Sequence, residues 1–155
     1  MSEHHAIISW QRQTPGFDYH VYNREHTWEF GGGISVGASA APQFGGTGDQ
    51  VDPERAFVAA IASCHMLTFL AICARKRLVV DHYEDQAVGF LKKNGDGVLV
   101  ITRVELSPEI AFGGKAPDPV ALERIHELSH QECFIANSIR TEVVVLSAGS
   151  PRIAD

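Results

Sequence analysis

One long apolar segment limits most strongly what this chain can fold into. The run Ala56–Ala74 contains no Asp, Glu, Lys or Arg, and it follows Asp52-Pro53-Glu54. That triplet supplies an N-cap residue, a proline at the first helical position and a carboxylate in the first turn, so it predicts a helix from Pro53 to about Arg77. Because this helix is apolar on every face, we expect it to be buried on all sides.

The same segment is about long enough to span a bilayer, which makes a membrane helix the first alternative. Ser63, His65 and Thr68 dilute its apolar character, and no aromatic belt flanks it. We therefore expect a buried core helix and no membrane association.

Charge and cysteine content narrow the class of protein further. The formal net charge is −6 and the longest basic cluster is Arg75–Arg77, at the predicted helix end, so we expect no nucleic-acid binding. Met1–His5 provides neither a basic nor an apolar leader, which argues against a signal peptide. Three cysteines do not make a disulfide framework, so we expect a cytoplasmic protein with free thiols.

Shorter strand-like and helix-like segments surround the long helix. Strand patterns cover 6–13, 19–30, 34–36, 79–90, 98–112 and 139–146, and a second helix is predicted from Asp118-Pro119 to near Cys133. Asn94–Gly97 predicts a hairpin between two of the strand segments. The order of elements indicates one α+β domain over residues 1–155 with largely antiparallel pairing, ending in a frayed tail from Ala148.

A glycine-rich stretch, residues 37–50, is predicted to be an exposed loop near a functional site. Gly45–Gly48 superficially resembles a phosphate loop, but the Lys-Ser/Thr ending of such loops is missing, so phosphate binding is not favoured.

Two cysteines offer the clearest chemistry. Cys64 lies inside the long apolar helix and Cys133 lies at the end of the second one. If the fold brings them together, they form an attacking thiol and a resolving thiol. The alternative is an inert core thiol, because free cysteine is among the most buried residue types, and Cys73 fits that description better than Cys64.

A peroxidatic cysteine reacts as a thiolate and therefore needs a nearby cation. Arg24, Arg12 and His65 are candidates, and an arginine is favoured because its fork can bind a thiolate and a peroxide oxygen together. Glu54 could orient that arginine through a bidentate pair. Ten residues of helix, about 15 Å, separate Glu54 from Cys64, so Arg24 bridges the gap, a second subunit supplies the glutamate, or Glu54 only stabilises the helix dipole.

A metal site is the competing arrangement. His126, His130 and Cys133 share the predicted second helix, and His65 or Cys64 could complete a tetrahedral zinc site. The segment from His126 to His130 also matches the His-Glu-x-x-His pattern of zinc proteases, which is short enough to occur by chance.

Several of these segments together resemble one known family. Asp52-Pro53-Glu54, then Ser63-Cys64-His65, then Cys133 before a final strand, and the segment Tyr22–His26, are similar to the OsmC/Ohr family of osmotically inducible and organic hydroperoxide resistance proteins. The resemblance covers nearly the whole chain. It implies a cofactor-free thiol peroxidase that reduces organic hydroperoxides and is regenerated by an external dithiol. It also implies an intertwined homodimer with the two long helices at its centre and the sites at the subunit interface.

The resemblance also assigns roles. It implies that Cys64 is the peroxidatic cysteine, Cys133 the resolving cysteine, and Glu54 the carboxylate that binds an arginine, for which we choose Arg24 over Arg12. Phe134 stands where the family often has proline, and His65 stands where it often has an aromatic residue, which indicates a less characterised branch. The alternatives are a non-catalytic ligand-binding or sensor dimer, and a metal-binding protein that uses the two histidines of the second helix.

Overall fold

The structure is a computed structural model that describes residues Met1–Leu146. In chain order its elements are β1 (Ala6–Ser9), β2 (His26–Phe30), β3 (Ile34–Ala38), α1 (Pro53–Arg75), β4 (Val80–Asp85), β5 (Val88–Lys93), β6 (Leu99–Leu106), β7 (Pro108–Phe112), α2 (Pro119–Glu132) and β8 (Glu142–Val145). The predicted α+β class and both helices are confirmed. The predicted frayed tail lies outside the described residues.

The chain divides into two compact units, Met1–Ala56 and a second that begins at Phe57. The first turn of α1 belongs to the first unit and the rest of this helix to the second. That the whole chain acts as a single domain stays a prediction.

The first unit contains an antiparallel sheet in the order β1-β2-β3. Both predicted strand segments before β3 are longer than the strands observed. The reason is Asn23, whose side-chain oxygen accepts the N–H of Gln13 at 2.8 Å and whose amide donates to the carbonyl of Gln11 at 3.0 Å. A side chain thus replaces the neighbouring strand as the backbone partner, and residues 10–25 form a loop.

The second unit contains a two-stranded sheet, β4-β7, and a three-stranded sheet, β5-β6-β8. The predicted hairpin at Asn94–Gly97 joins β5 to β6, and Asn94 Oδ1 accepts the N–H groups of Asp96 and Val98. Each of the two long predicted strand segments, 79–90 and 98–112, divides into two strands that belong to different sheets. The Ser107 N–H, between β6 and β7, donates to Asp85 Oδ1 at the end of β4, at 2.7 Å, and not to a neighbouring strand.

Helix α1 packs one side against the core of the second unit. Four of its buried residues belong to two apolar clusters: Phe69, Ile72 and Cys73 lie with Ile125 of α2, and Ile61 lies with Val104 and Leu106 of β6. The fifth buried residue of α1 is His65. By length and composition α1 could cross a membrane, with a mean hydropathy of 2.1, and 28% of its most apolar window is buried. The expectation that α1 is covered on all sides is therefore not met within one chain.

Candidate active site

Two thiols from different helices meet in the second unit. Cys64 lies near the middle of α1 and Cys133 is the C-cap residue of α2, and their side chains are within hydrogen-bonding reach. All three cysteines of the chain are free thiols. Cys133 is 1% exposed, whereas Cys64 is only partly buried, so Cys64 is the more accessible of the two.

The surroundings of Cys133 favour its protonated form. Burial raises the pKa of the Cys133 thiol, and the hydrogen bond with Cys64 raises it further, while the Ala136 N–H, which donates to Sγ at 3.4 Å, acts in the opposite direction. The Asn137 amide closes the end of α2 by donating to the carbonyls of Cys133 and Gln131. A buried thiol at a fixed helix end suits a partner that reacts second.

A pair of histidines joins the same two helices. His65 of α1 and His126 of α2 are joined by a nitrogen–nitrogen contact of 3.1 Å. The pKa of each is lowered to about 4, mainly by burial, and for His65 the nearby His126 and His130 contribute to the lowering. His65 is therefore neutral at pH 7 and does not serve as the cation for a thiolate. The sequence suggested a cation or a metal ligand for each histidine separately, and no local signal indicates that the two are paired.

The first unit contains a cavity of about 400 Å³. Its wall includes four aromatic side chains, those of Trp10, Phe17, Tyr22 and Phe44, and its polar lining includes Arg24, Ser39 and Glu54. Two candidate site residues, Arg24 and Glu54, therefore share one cavity. The alternative Arg12 does not line it, since its guanidinium donates to the carbonyls of Thr14 and Pro15.

The Arg24 guanidinium is held by its own loop. It donates to the carbonyls of Tyr22, at 2.6 Å, and Tyr19, and its central carbon lies 3.9 Å from the centre of the Tyr22 ring. Its Nε is buried without a hydrogen-bond partner, and among the described residues no ion pair joins Arg24 to Glu54. The bidentate Arg24–Glu54 pair considered from sequence is thus not formed in this structure.

Glycines allow the loop beside Arg24 to pass this close. A Cβ on Gly46 would lie 1.5 Å from the carbonyl oxygen of Ala40, and one on Gly45, where φ is +83°, would lie 3.1 Å from the Arg24 guanidinium. Only glycine fits at Gly46 without moving the backbone. The predicted glycine-rich loop therefore does border a cavity, through residues that include Ser39 and Phe44.

Comparison with known proteins establishes the relationship. A family model described as OsmC-like protein matches residues 46–147. The chain belongs to the OsmC-like family. It is similar to the structure of an OsmC-like protein of unknown function from Vibrio cholerae, with 48% identity over 94% of this chain and 99% of that chain, and a TM-score of 0.90.

Hydroperoxide resistance proteins share the OsmC-like fold at much lower identity. One from Elizabethkingia anophelis is 17% identical over 95% of this chain and 96% of its own, with a TM-score of 0.73. One from Legionella pneumophila is 16% identical over 95% and 98%, with a TM-score of 0.71. None of the curated proteins compared with the chain matches it. Family and fold, as expected from sequence, are confirmed, and the roles of Cys64, Cys133, Arg24 and Glu54 stay predictions.

We expect this OsmC-like protein to bind no metal tightly. Among residues 1–146 no three His, Cys, Asp or Glu side chains are placed to hold a metal ion together. Nδ1 of His126 is already bonded to His65, which leaves His130 and Cys133 as an incomplete ligand set. Elemental analysis of the purified protein checks this. Stoichiometric zinc that is lost in His126→Ala or His130→Ala would favour the metal-binding alternative.

We expect the stability of the protein to fall as the pH falls from about 6.5 to about 4. In the folded chain the pKa of His65 and of His126 is lowered to about 4, so unfolding takes up protons below the ordinary value of 6.5. The loss, at most on the order of 3 kcal/mol for each imidazole, is complete below the folded pKa. Urea unfolding from pH 7.5 to 4 measures it. His65→Gln should flatten the profile, whereas His82→Gln, which removes an exposed histidine, should not.

Proposed function

We propose that this OsmC-like protein is a thiol peroxidase that reduces organic hydroperoxides through Cys64 and Cys133. The observation that carries the proposal is the contact between these two thiols, which are 69 residues apart in sequence and come from different helices. Their unequal burial supports the assignment of roles, because an attacking thiol must reach the peroxide and a resolving thiol need only reach the first.

The proposed cycle has three balanced steps. The Cys64 thiolate attacks the distal oxygen of the hydroperoxide, the O–O bond breaks, and the alkoxide leaves as an alcohol after taking up a proton. The Cys133 sulfur then attacks the Cys64 sulfenic acid, which forms a disulfide and releases water. An external dithiol reduces this disulfide and is itself oxidised.

Arg24 and Glu54 complete the proposal. We assign Arg24 to stabilise the thiolate and the peroxide, and Glu54 to orient it, as the family resemblance implies. Their shared position in one cavity supports the assignment. The guanidinium binds the carbonyls of Tyr19 and Tyr22 through its two terminal nitrogens, and its Nε, which has no hydrogen-bond partner, is left as a donor for a ligand.

The proposal includes a cytoplasmic homodimer. Several residues along α1 stay exposed in the single chain, in particular Leu67, which is 60% exposed. A second copy of the chain would cover them and so bury the helix, as its all-round apolar sequence requires.

A ligand-binding or sensor function is the second candidate, and the cavity in the first unit favours it. The cavity volume of about 400 Å³ is within the range of small-molecule sites. Ser39 is fully buried there and its hydroxyl has no hydrogen-bond partner, as expected of a group that meets a ligand. On this alternative the thiols are inert.

Treatment with an organic hydroperoxide separates the two functions. We expect one equivalent of cumene hydroperoxide to convert the protein to a Cys64–Cys133 disulfide, seen as a linked peptide pair by mass spectrometry. Cys73 is an internal control, since it is buried and its pKa is raised, and it should stay a thiol. Unmodified Cys64 and Cys133 after excess hydroperoxide would reject the peroxidase in favour of the ligand-binding protein.

A further inference from the structure

Two pairs of side chains connect α1 to α2, and both start from neighbouring residues of α1. Cys64 meets Cys133, and His65 meets His126. On α2 the two partners are seven residues apart, which is two helical turns or about 10 Å. A helix held at two points this far apart cannot slide or rotate without breaking one contact, so the histidine pair bears on the separation of the thiols.

The two imidazoles face each other along a straight line. Nε2 of His65 lies 3.1 Å from Nδ1 of His126, the ring centroids are 5.4 Å apart, and the ring planes differ by 9°. The centroid separation equals the nitrogen–nitrogen distance plus the centroid-to-nitrogen distance of each ring, so both nitrogens lie on the line between the centroids. The rings are therefore nearly coplanar, and one linear N–H···N hydrogen bond joins them.

This arrangement is not that of two ligands around a shared metal. Two imidazoles on one tetrahedral metal ion point their lone pairs at the ion from different directions, not at each other. Here the lone pair of one nitrogen faces the N–H of the other, and burial keeps both rings neutral at neutral pH. The pair is a directional hydrogen bond between two helices.

The His126 ring is held on a second side as well. Phe69, one turn after His65 on α1, lies against its face with centroids 4.7 Å apart and planes 26° apart. Helix α1 thus holds the edge of the His126 ring with one residue and its face with another. The neighbouring contacts of Leu122 and Ile125 are apolar and tolerate small shifts, whereas a linear hydrogen bond restricts both distance and angle.

From this geometry we infer that the His65–His126 hydrogen bond positions Cys133 against Cys64 for disulfide formation. The inference rests on the proposed function and adds two positioning residues to it. In the resolving step the sulfurs of Cys133 and Cys64 join, the S–O bond of the sulfenic acid breaks, and the thiol proton leaves with the oxygen as water. The histidines exchange no proton in this step, and act by keeping α2 in place.

Three variants of this side of the helices test the inference. His126→Phe keeps a ring against Phe69 but removes the hydrogen bond. His126→Asn keeps an amide close to the position of Nδ1 and can restore the bond. Leu122→Ala is the matched control, because it weakens the same packing between the helices without removing a polar group.

The first measurement needs no peroxide. At equilibrium in a glutathione redox buffer, we expect His126→Phe to lower the effective concentration of the Cys133 thiol with respect to the Cys64 thiol about tenfold. His126→Asn and Leu122→Ala should stay within about threefold of the parent protein. An unchanged equilibrium in His126→Phe, or an equal loss in Leu122→Ala at matched stability, would overturn the inference.

The second measurement follows one turnover with tert-butyl hydroperoxide. Trapping of the sulfenic acid with dimedone should show its lifetime extended about tenfold in His126→Phe, with its rate of formation changed less than about twofold. If His126→Phe does not fold, His65→Leu decides, because it removes the same hydrogen bond from the α1 side and should extend the lifetime by a similar factor, whereas His65→Gln keeps a donor and acceptor near Nε2 and should behave as the parent protein does. A parent protein that forms no sulfenic acid but gives the expected glutathione result would reject the proposed peroxidase and leave the positioning role intact.

Discussion

Replacement of Cys64 by serine is expected to abolish hydroperoxide consumption. A serine hydroxyl at this position is neither ionised nor nucleophilic enough to attack the O–O bond, so the rate should fall at least about 10³-fold. The change should hardly affect the fold, because serine has the same branching as cysteine with one smaller atom, and Cys64 is only partly buried. Coupled assays with cumene hydroperoxide and a small dithiol measure the loss.

Two matched variants make the Cys64 result specific. Cys133→Ser should allow one turnover and then stop with Cys64 open to over-oxidation, because no second sulfur is in reach of the sulfenic acid. Cys73→Ser should keep full activity, although it too removes a thiol from α1. Equal losses in all three variants would indicate damage to the helix rather than lost chemistry, and activity retained in Cys64→Ser would contradict the peroxidase proposal.

Local signals allowed both helices to be predicted. The start of α1 follows from Asp52-Pro53, and Asp52 accepts the Arg55 N–H at 2.8 Å. The start of α2 follows from Asp118-Pro119, and Asp118 accepts the Ala121 N–H at 2.8 Å. These interactions join residues three apart, so the sequence contains all that is needed to predict them.

The pairing of strands could not be predicted in the same way. Strand β8 runs parallel to β6, with Val143 opposite Val104, and β4 pairs with β7 across the intervening hairpin. These contacts join residues far apart in the sequence, and an apolar strand pattern fits more than one neighbour. The class of the fold was therefore predictable, and the division into sheets was not.

In the candidate site, too, the residues could be predicted from the sequence and their contacts could not. The types and local surroundings of Cys64 and Cys133 made them candidates, and family resemblance added their roles, but their contact depends on how α1 and α2 pack. The His65–His126 pair depends on the same packing, and each histidine alone suggested a charged or metal-bound side chain. Their mutual burial reverses that expectation, because neutral imidazoles are favoured where water is excluded.

A charge on the exposed side of α1 is expected to convert the protein from a dimer to a monomer. Five of the exposed residues of this helix recur every three or four positions and so form one stripe; they are Ala60, Ser63, Leu67, Ala71 and Ala74. Small residues around a single leucine allow a second helix to approach closely. Leu67→Glu would place an uncompensated carboxylate in that contact, and twofold symmetry would place it there twice.

Sedimentation of the parent protein and two variants tests the dimer. We expect the parent to be a dimer with a buried interface above about 2,000 Å² and Leu67→Glu to be a monomer over the same concentration range. Val120→Glu is the matched control, because Val120 is 76% exposed on α2 and its replacement adds the same charge elsewhere. It should stay dimeric.

If the parent is a stable monomer, the exposed stripe of α1 has another partner, and the proposed homodimer is wrong. If both variants dissociate, added charge and not the α1 contact controls assembly. Dissociation of Leu67→Glu alone, with α1 still helical by circular dichroism, would establish that a second copy of this helix completes the burial that its sequence requires.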